Sequence, residues 1–317
     1  MILKIAIGLA VLLAVFAVAT AWRAGRMETR AEAANPPTGA FVEVDGHPVH
    51  YTVTGDGPDL VMIHGASGNV NDFDIALIPL LSDRYRVIVF DRPGFGYTPR
   101  LGDDAASLAE QARLLADAAA ALGADRPLVL GQSYGGSVAL AWALERPRGT
   151  AGLVLVSAAS NPWTTGIGAY YQVLSSRFGQ WLGVPVLTAW TSDRVIDTTL
   201  DYIFAPQDVP EGYAEAFGAR LSLRRAPLRE NALERERLLD EISAQVVRYP
   251  AIRVPVEVLH GTADEIVPHD VHSEPLARQL PDATLTLLEG IGHMPHHVAT
   301  GEVAAAVDRA AARAGLR

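Results

Sequence analysis

The spacing of apolar and polar residues changes character several times along the chain. Residues 5–21, IAIGLAVLLAVFAVATA, carry no charge and a single hydroxyl. With Ile2, Leu3 and Trp22 the run reaches the ~20 residues that cross a hydrocarbon layer. It leaves no polar face for a soluble helix to turn to water. Residues 24–40, AGRMETRAEAANPPTGA, are small and polar and close on Pro-Pro, which predicts a linker. From residue 41 the period becomes two: FVEVDG and PVHYTVTGDG alternate and end in Asp or Gly, the pattern of a hairpin with one exposed face. Short continuous apolar runs follow at Leu60–Ile63, Val87–Phe90, Leu128–Leu130 and Leu153–Val156. Such runs suit strands of a parallel sheet covered on both faces. Between them lie helices. Ser107-Leu-Ala-Glu110 is a capping box, and the helix behind it reaches Leu122, with Gly123 placed for a left-handed C-terminal cap. A second helix runs from Tyr134 to about Glu145.

Over residues 161–248 the alternation stops. Apolar and aromatic residues are scattered, a charged helical segment spans Leu228–Leu239, and no strand pattern occurs. Strand patterning returns at Val254–Leu259 and Thr284–Leu288, before an Ala-rich helix from about Gly301. The expected architecture is α/β: a doubly wound, mostly parallel sheet formed by residues 41–160 and 249–317, with a helical insertion at 161–248. An apolar helix (1–23) and a linker (24–40) precede it.

Composition narrows the partners. The 317 residues are 49% apolar and 20% charged, enough for a large core, and the net charge is −10. Nucleic acid is a poor partner for an acidic chain, because phosphate binding needs a positive field. There is no cysteine, which excludes disulfides, thiolate-bound metal and a cysteine nucleophile. For the N-terminal run two readings compete. As an uncleaved single-pass anchor it brings the membrane in as a partner, with Trp22 at the interface. As a signal peptide it offers Ala19-Thr20-Ala21 for cleavage and implies export. Arg23, Arg26 and Arg30 follow the run and only Lys4 precedes it, which by the positive-inside tendency puts the C-terminal part inside.

Ligands of an open parallel sheet bind beyond the carboxyl ends of its strands, so the chemistry is sought in the residues after each run. These are HGASG from His64, DRPGFG from Asp91, GQSYGG from Gly131, HGTAD from His260 and EGIGH from Glu289. A serine, an acid and a histidine thus arise in the order Ser133, Asp264, His293, each on a loop at one sheet edge. A serine hydroxyl is a weak nucleophile near neutral pH and needs a base. Histidine has the intrinsic basicity for that task, and an acid holding its second ring nitrogen fixes the tautomer. Glu265, next to Asp264, is the alternative acid. Asp91 reads as structural, and His64 as orienting its own loop. Ser67 either hydrogen-bonds that loop or caps its turn. His269, His272, His293, His296 and His297 raise the question of metal. With His293 already assigned, three convergent ligands are not evident, and neither metal nor cofactor is expected.

Across residues 41–315 the chain resembles the α/β-hydrolase superfamily. The resemblance rests on HGASG, DRPGFG, GQSYGG, GTAD and GIGHMPH in that order, each after a strand. It implies a serine-nucleophile member, since the dehalogenase and epoxide hydrolase branches place an aspartate at position 133. It further implies a cap domain at 161–248, and an oxyanion hole from the backbone N–H groups of Ala66 and Tyr134. The cap is rich in aromatic residues, which favours an apolar pocket. Arg224, Arg225 and Arg229 read as a solvated face. The leading expectation is a hydrolase of uncharged, moderately apolar carboxylic esters acting through an acyl-enzyme. A carbon–carbon bond hydrolase or cofactor-free perhydrolase has the same triad, and Asn69 or Asn71 could line the carboxylate pocket that a carbon–carbon hydrolase needs. A non-catalytic ligand-binding protein of the same fold is the reading from another class.

Overall fold

A computed structural model describes residues 1–317. Eight strands form one sheet: β1 (Ala40–Val44), β2 (His47–Thr54), β3 (Asp59–Ile63), β4 (Arg86–Phe90), β5 (Leu128–Gln132), β6 (Gly152–Val156), β7 (Val256–Gly261) and β8 (Ala283–Leu288). Their order is β1-β2-β4-β3-β5-β6-β7-β8. β1 and β2 form the expected antiparallel hairpin, β2 also pairs antiparallel with β4, and all later pairings are parallel.

The continuous apolar runs are explained by two cores. Along the central strands Val61, Ile63, Ile88, Phe90, Val129, Leu153 and Leu155 enter one core. Their neighbours Leu60, Met62, Val87, Val89, Leu128, Leu130, Val154 and Val156 enter the other. Side chains alternate between faces with period two, so burial of both faces requires every position to be apolar. Helices Leu108–Ala121 and Tyr134–Glu145 cover the first face, and Thr300–Arg313 covers the second. The capping box is formed in full: Ser107 accepts from the Glu110 N–H, and the Glu110 carboxylate accepts from the Ser107 N–H. Gly123 takes the left-handed conformation at φ +80°.

Between β6 and β7 the chain is helical, at Ala169–Ser175, Val184–Trp190, Asp193–Phe204, Tyr213–Phe217 and Arg225–Val246. Its aromatics divide by position. Phe204, Tyr213 and Phe217 are buried together with Met294 of the core domain, whereas Tyr170, Trp181, Trp190 and Tyr202 are exposed. The aromatic content therefore does not all line an interior.

The N-terminal helix departs from expectation. It runs unbroken from Ile2 to Ala34, so the segment read as a linker over 24–40 is helical through most of its length. Two causes are visible. The stretch AGRMETRAEAA is made almost wholly of good helix formers, and the Asn35-Pro36-Pro37 sequence, not the end of the apolar run, stops it. Its second half also has a surface to lie on: Thr20, Ala24 and Ala31, small residues on one face, are buried. Trp190 donates from its indole to Thr20 Oγ1 (3.1 Å) and stacks on Phe16. Arg23 donates to the Ala189 carbonyl (2.7 Å) and lies over the Trp190 ring. Arg224 and Arg225 are not a free solvated face. Arg225 holds both carboxylate oxygens of Glu28 (2.9 and 2.6 Å), and Arg224 pairs with Glu32 (2.8 Å).

Candidate active site

β5 ends at Gln132, and the chain must turn at once into helix Tyr134–Glu145. Ser133 makes the turn alone, at φ +52° and ψ −118°. A non-glycine residue in that region costs of order 1–3 kcal/mol and persists only where its surroundings hold it. The surroundings are tight. A Cβ on Gly135 would collide with the Ile63 carbonyl oxygen, and one on Gly131 with the Gly135 carbonyl. Glycine at these positions lets the helix start directly against the strand, which lifts the serine side chain beyond the sheet edge.

Ser133, His293 and Asp264 arrive from three loops and form one chain of contacts. His293 Nε2 lies 3.0 Å from Ser133 Oγ, and His293 Nδ1 lies 2.8 Å from Asp264 Oδ2. All three residues are buried, with Ser133 and His293 each 6% exposed. The acceptor at Nδ1 requires the proton there, leaving Nε2 bare toward the hydroxyl. Asp264 Oδ1 accepts from the N–H groups of Ile266 and Val267, both at 2.9 Å. Burial alone would raise the Asp264 carboxyl; hydrogen bonds from His260 and His293 outweigh it and hold the group well below the usual carboxylate range. Glu265 is exposed and takes no part.

The loop after β3 comes alongside: a Cβ on Gly65 would sit 3.2 Å from Ser133 Cβ. Ala66 follows on this loop, and Tyr134 opens the helix behind Ser133. His64 is buried. Its Nδ1 contacts the Gly65 carbonyl (2.9 Å), and its Nε2 accepts from the Arg92 N–H (3.0 Å). Burial and the nearby Arg92 charge push it down to about 4, so it is a neutral brace and not a proton carrier. Asp91 is structural too. It accepts from the N–H groups of Val70 and Tyr97 (2.8 Å each) and from His50 (2.6 Å). The Ser67 carbonyl accepts from the Ser222 hydroxyl, at a left-handed turn of φ +57°.

Sequence reasoning missed Arg92 and Gln132. The Arg92 guanidinium donates to the carbonyls of His64 (3.1 Å) and Gly65 (3.0 Å), gripping the loop that carries Ala66. It also donates to Gln111 (2.9 Å) and to Glu234 (2.7 Å) of the insertion, between the rings of Phe95 and Tyr134. Burial pushes the Glu234 carboxyl up to about 7 in spite of this partner. Gln132 donates to the His293 carbonyl (3.4 Å). The only available signal was the DRP tripeptide itself, because a bond to a residue 142 positions away leaves no local pattern.

The remaining histidines scatter. His269 pairs with Glu274 (3.2 Å), and His272 Nδ1 accepts from the N–H groups of Ser160 and Asn161 (3.1 Å each). His296 and His297 meet Asp72 at 3.3 and 2.9 Å, and Tyr213 of the insertion donates to the same carboxylate (2.8 Å). These ligand atoms are close enough for a metal. However, Nδ1 of both imidazoles is buried without a partner. Metal-ligating histidines hand that nitrogen to a carboxylate or carbonyl. Donation of both Nε2–H groups to Asp72 fits the residues better, as a link between core and insertion. Asn69 and Asn71 do not form an open amide pocket: both direct their amide groups to the Phe217 carbonyl, at 3.0 and 3.4 Å.

Comparison with known proteins identifies the fold. Residues 58–300 match the profile of a family described as alpha/beta hydrolase fold. Among solved structures, a thermophilic esterase from Thermogutta terrifontis superposes with TM-score 0.68 at 22% identity, covering 87% of this chain and 97% of its own. A meta-cleavage product hydrolase from Pseudomonas fluorescens IP01 gives 0.71 at 21% identity, covering 87% and 98%. A bacterial membrane phospholipase A gives 0.67 at 22% identity and covers 99% of both chains, so that likeness extends over the N-terminal helix.

Proposed function

Because the chain belongs to the α/β-hydrolase fold family, we propose that it is a serine hydrolase that cleaves an uncharged, moderately apolar carboxylic ester through an acyl-enzyme. The observation that carries this reading is the contact chain Ser133–His293–Asp264, with Ser133 held at a strained turn. His293 takes the Ser133 proton as Oγ attacks the ester carbonyl, and Asp264 stabilises the imidazolium so formed. The tetrahedral oxyanion accepts from the N–H groups of Ala66 and Tyr134. The Tyr134 N–H heads a helix and has no helical acceptor, so it is free to donate outward. Collapse passes the proton from His293 to the leaving alkoxide and leaves an acyl-Ser133 ester. Water then attacks with His293 again as base, and His293 passes that proton to Ser133 Oγ as the acyl–oxygen bond breaks and the acid leaves. A carbon–carbon hydrolase reading gains nothing from Asn69 and Asn71, whose amides serve Phe217.

The N-terminal helix is, in this proposal, an uncleaved single-pass anchor. Contacts with the insertion fall on both sides of Ala21: Phe16 and Thr20 before it, Arg23 and Glu28 after it. A cleaved signal would give up the contacts before it. The earlier part exposes its apolar side chains all round, a surface suited to lipid, and an enzyme so anchored meets apolar esters where they concentrate.

The test uses the full chain in detergent. A fluorophosphonate should label Ser133 covalently, and Ser133→Ala should abolish both labelling and p-nitrophenyl ester turnover without changing the circular dichroism spectrum. Ester turnover by Ser133→Ala within tenfold of the parent overturns the assignment of the nucleophile. A folded parent chain that does not label supports the ligand-binding alternative instead.

A further inference from the structure

Asp264 serves two histidines, and only one of them belongs to the mechanism above. His260, at the end of β7, is fully buried, and its Nε2 lies 3.1 Å from Asp264 Oδ2, the same oxygen that meets His293 Nδ1 at 2.8 Å. The same His260 nitrogen lies 2.6 Å from the Val267 carbonyl. A nitrogen facing a carboxylate and a carbonyl must carry the proton, so Nε2–H donates to both. On the far side of the ring Nδ1 meets the Ser273 hydroxyl. Every polar atom of the imidazole is therefore used, and the ring is fixed from both ends.

The Asp264 carboxylate is in turn saturated. Oδ1 accepts from two backbone N–H groups, and Oδ2 accepts from two imidazoles. We infer that His260 is a positioning residue for the catalytic acid: it holds Oδ2 in line with His293 and limits how strongly that oxygen favours the His293 imidazolium. The inference rests on the triad reading given above. Two features make it more than packing. The shared oxygen is the one that faces the general base, and the donor sits across from it, where an apolar side chain of equal size would leave a lone pair bare. The other ionisable neighbours are engaged elsewhere. His269, whose ring centre is 6.4 Å from that of His260, pairs with Glu274, and His272 accepts from backbone N–H groups.

Removal of the donor has a definite direction. Without the His260 N–H, Oδ2 interacts with His293 alone and favours its protonated form more strongly. The bare base then persists only at higher pH. His260→Leu should therefore move the acid limb of fluorophosphonate labelling at Ser133 upward by about half a pH unit or more. It should also lower the plateau labelling rate by roughly tenfold through loss of alignment. His260→Gln keeps an N–H at nearly the same reach and should restore the limb of the parent.

The measurement is the pH dependence of the labelling rate for the full-length parent, His260→Leu, His260→Gln and Ser133→Ala. It needs no knowledge of the substrate. Labelling of the parent at Ser133, with an unmoved acid limb in His260→Leu, overturns the role of His260 alone. A limb displaced equally in both His260 variants does the same, because it reports the loss of the ring and not of the donor. If His260→Leu does not fold, a limb in His260→Gln that departs from the parent's overturns the inference, and one that coincides with it supports it. Failure of the parent to label, or labelling that survives Ser133→Ala, overturns the triad and this inference with it.

Discussion

Asp264 makes four hydrogen bonds, two at each oxygen, and the two that Oδ1 accepts from the backbone survive if Oδ2 becomes an amide. Asp264→Asn is therefore the substitution that separates geometry from charge. The amide NH₂ would face His293 Nδ1 and favour the wrong tautomer, with the proton at Nε2 pointing toward Ser133. Ester turnover should fall by about 10⁴-fold, with some loss of thermal stability because the NH₂ also meets the His260 N–H; a turnover loss below tenfold in steady-state assays would remove Asp264 from the role. At this scale the sequence was informative wherever a residue followed a strand. Ser133, Asp264 and His293 could be picked because each stands just after an apolar run, and topology brings all such positions to one edge. Arg92 and Glu234 could not be picked, since their meaning lies in a partner on another segment. His260 stood within the HGTAD stretch, and nothing in the stretch says that its ring turns back to the aspartate.

Among the elements, the strands announced themselves through burial on both faces, and the helix caps through Ser107, Glu110 and Gly123. The N-terminal helix did not. Its polar second half has the composition of a linker and the conformation of a brace, and only the docking surface of the insertion distinguishes the two. Removal of residues 1–34 should accordingly do more than take away the proposed anchor. Arg224 and Arg225 lose Glu32 and Glu28, and Trp190 loses Phe16 and Thr20. The truncated chain should melt at least about 2 °C below the full chain in the same detergent, and Arg225→Ala in the full chain should reproduce part of the drop. Equal melting temperatures would show that the brace contributes nothing to stability.

Over the whole molecule, the buried ionisable groups set a pH dependence. His64, His272 and His296 are each pushed down to about 4, mainly by burial. Between that value and the ordinary histidine value near 6.5 the unfolded chain binds more protons than the folded one, so their contribution to stability rises with pH across this window. Glu234 opposes them. Its folded value of about 7 lies above its ordinary value of 4.5, so stability from this group is present below 4.5 and lost as pH rises to 7. Calorimetry from pH 5 to 7.5 should therefore show the melting temperature of Glu234→Gln gaining on that of the parent as pH rises. A constant difference would mean that Glu234 does not titrate in the folded chain across this range. The sequence told of a helical insertion, because the strand pattern stopped at residue 161. It could not tell how the insertion is tied down, because Arg92–Glu234, Arg100–Glu230 and Asp72–Tyr213 each join segments more than a hundred residues apart.

The unbroken N-terminal helix has one more consequence. Thirty-three residues at 1.5 Å each make a helix about 50 Å long, with no proline and no break before Asn35. If half of the helix lies in lipid, the other half is clamped to the insertion with no joint between them. A change in bilayer thickness that tilts the immersed half would then pull on the clamped half. The membrane would then bear on the insertion as a hand bears on a lever.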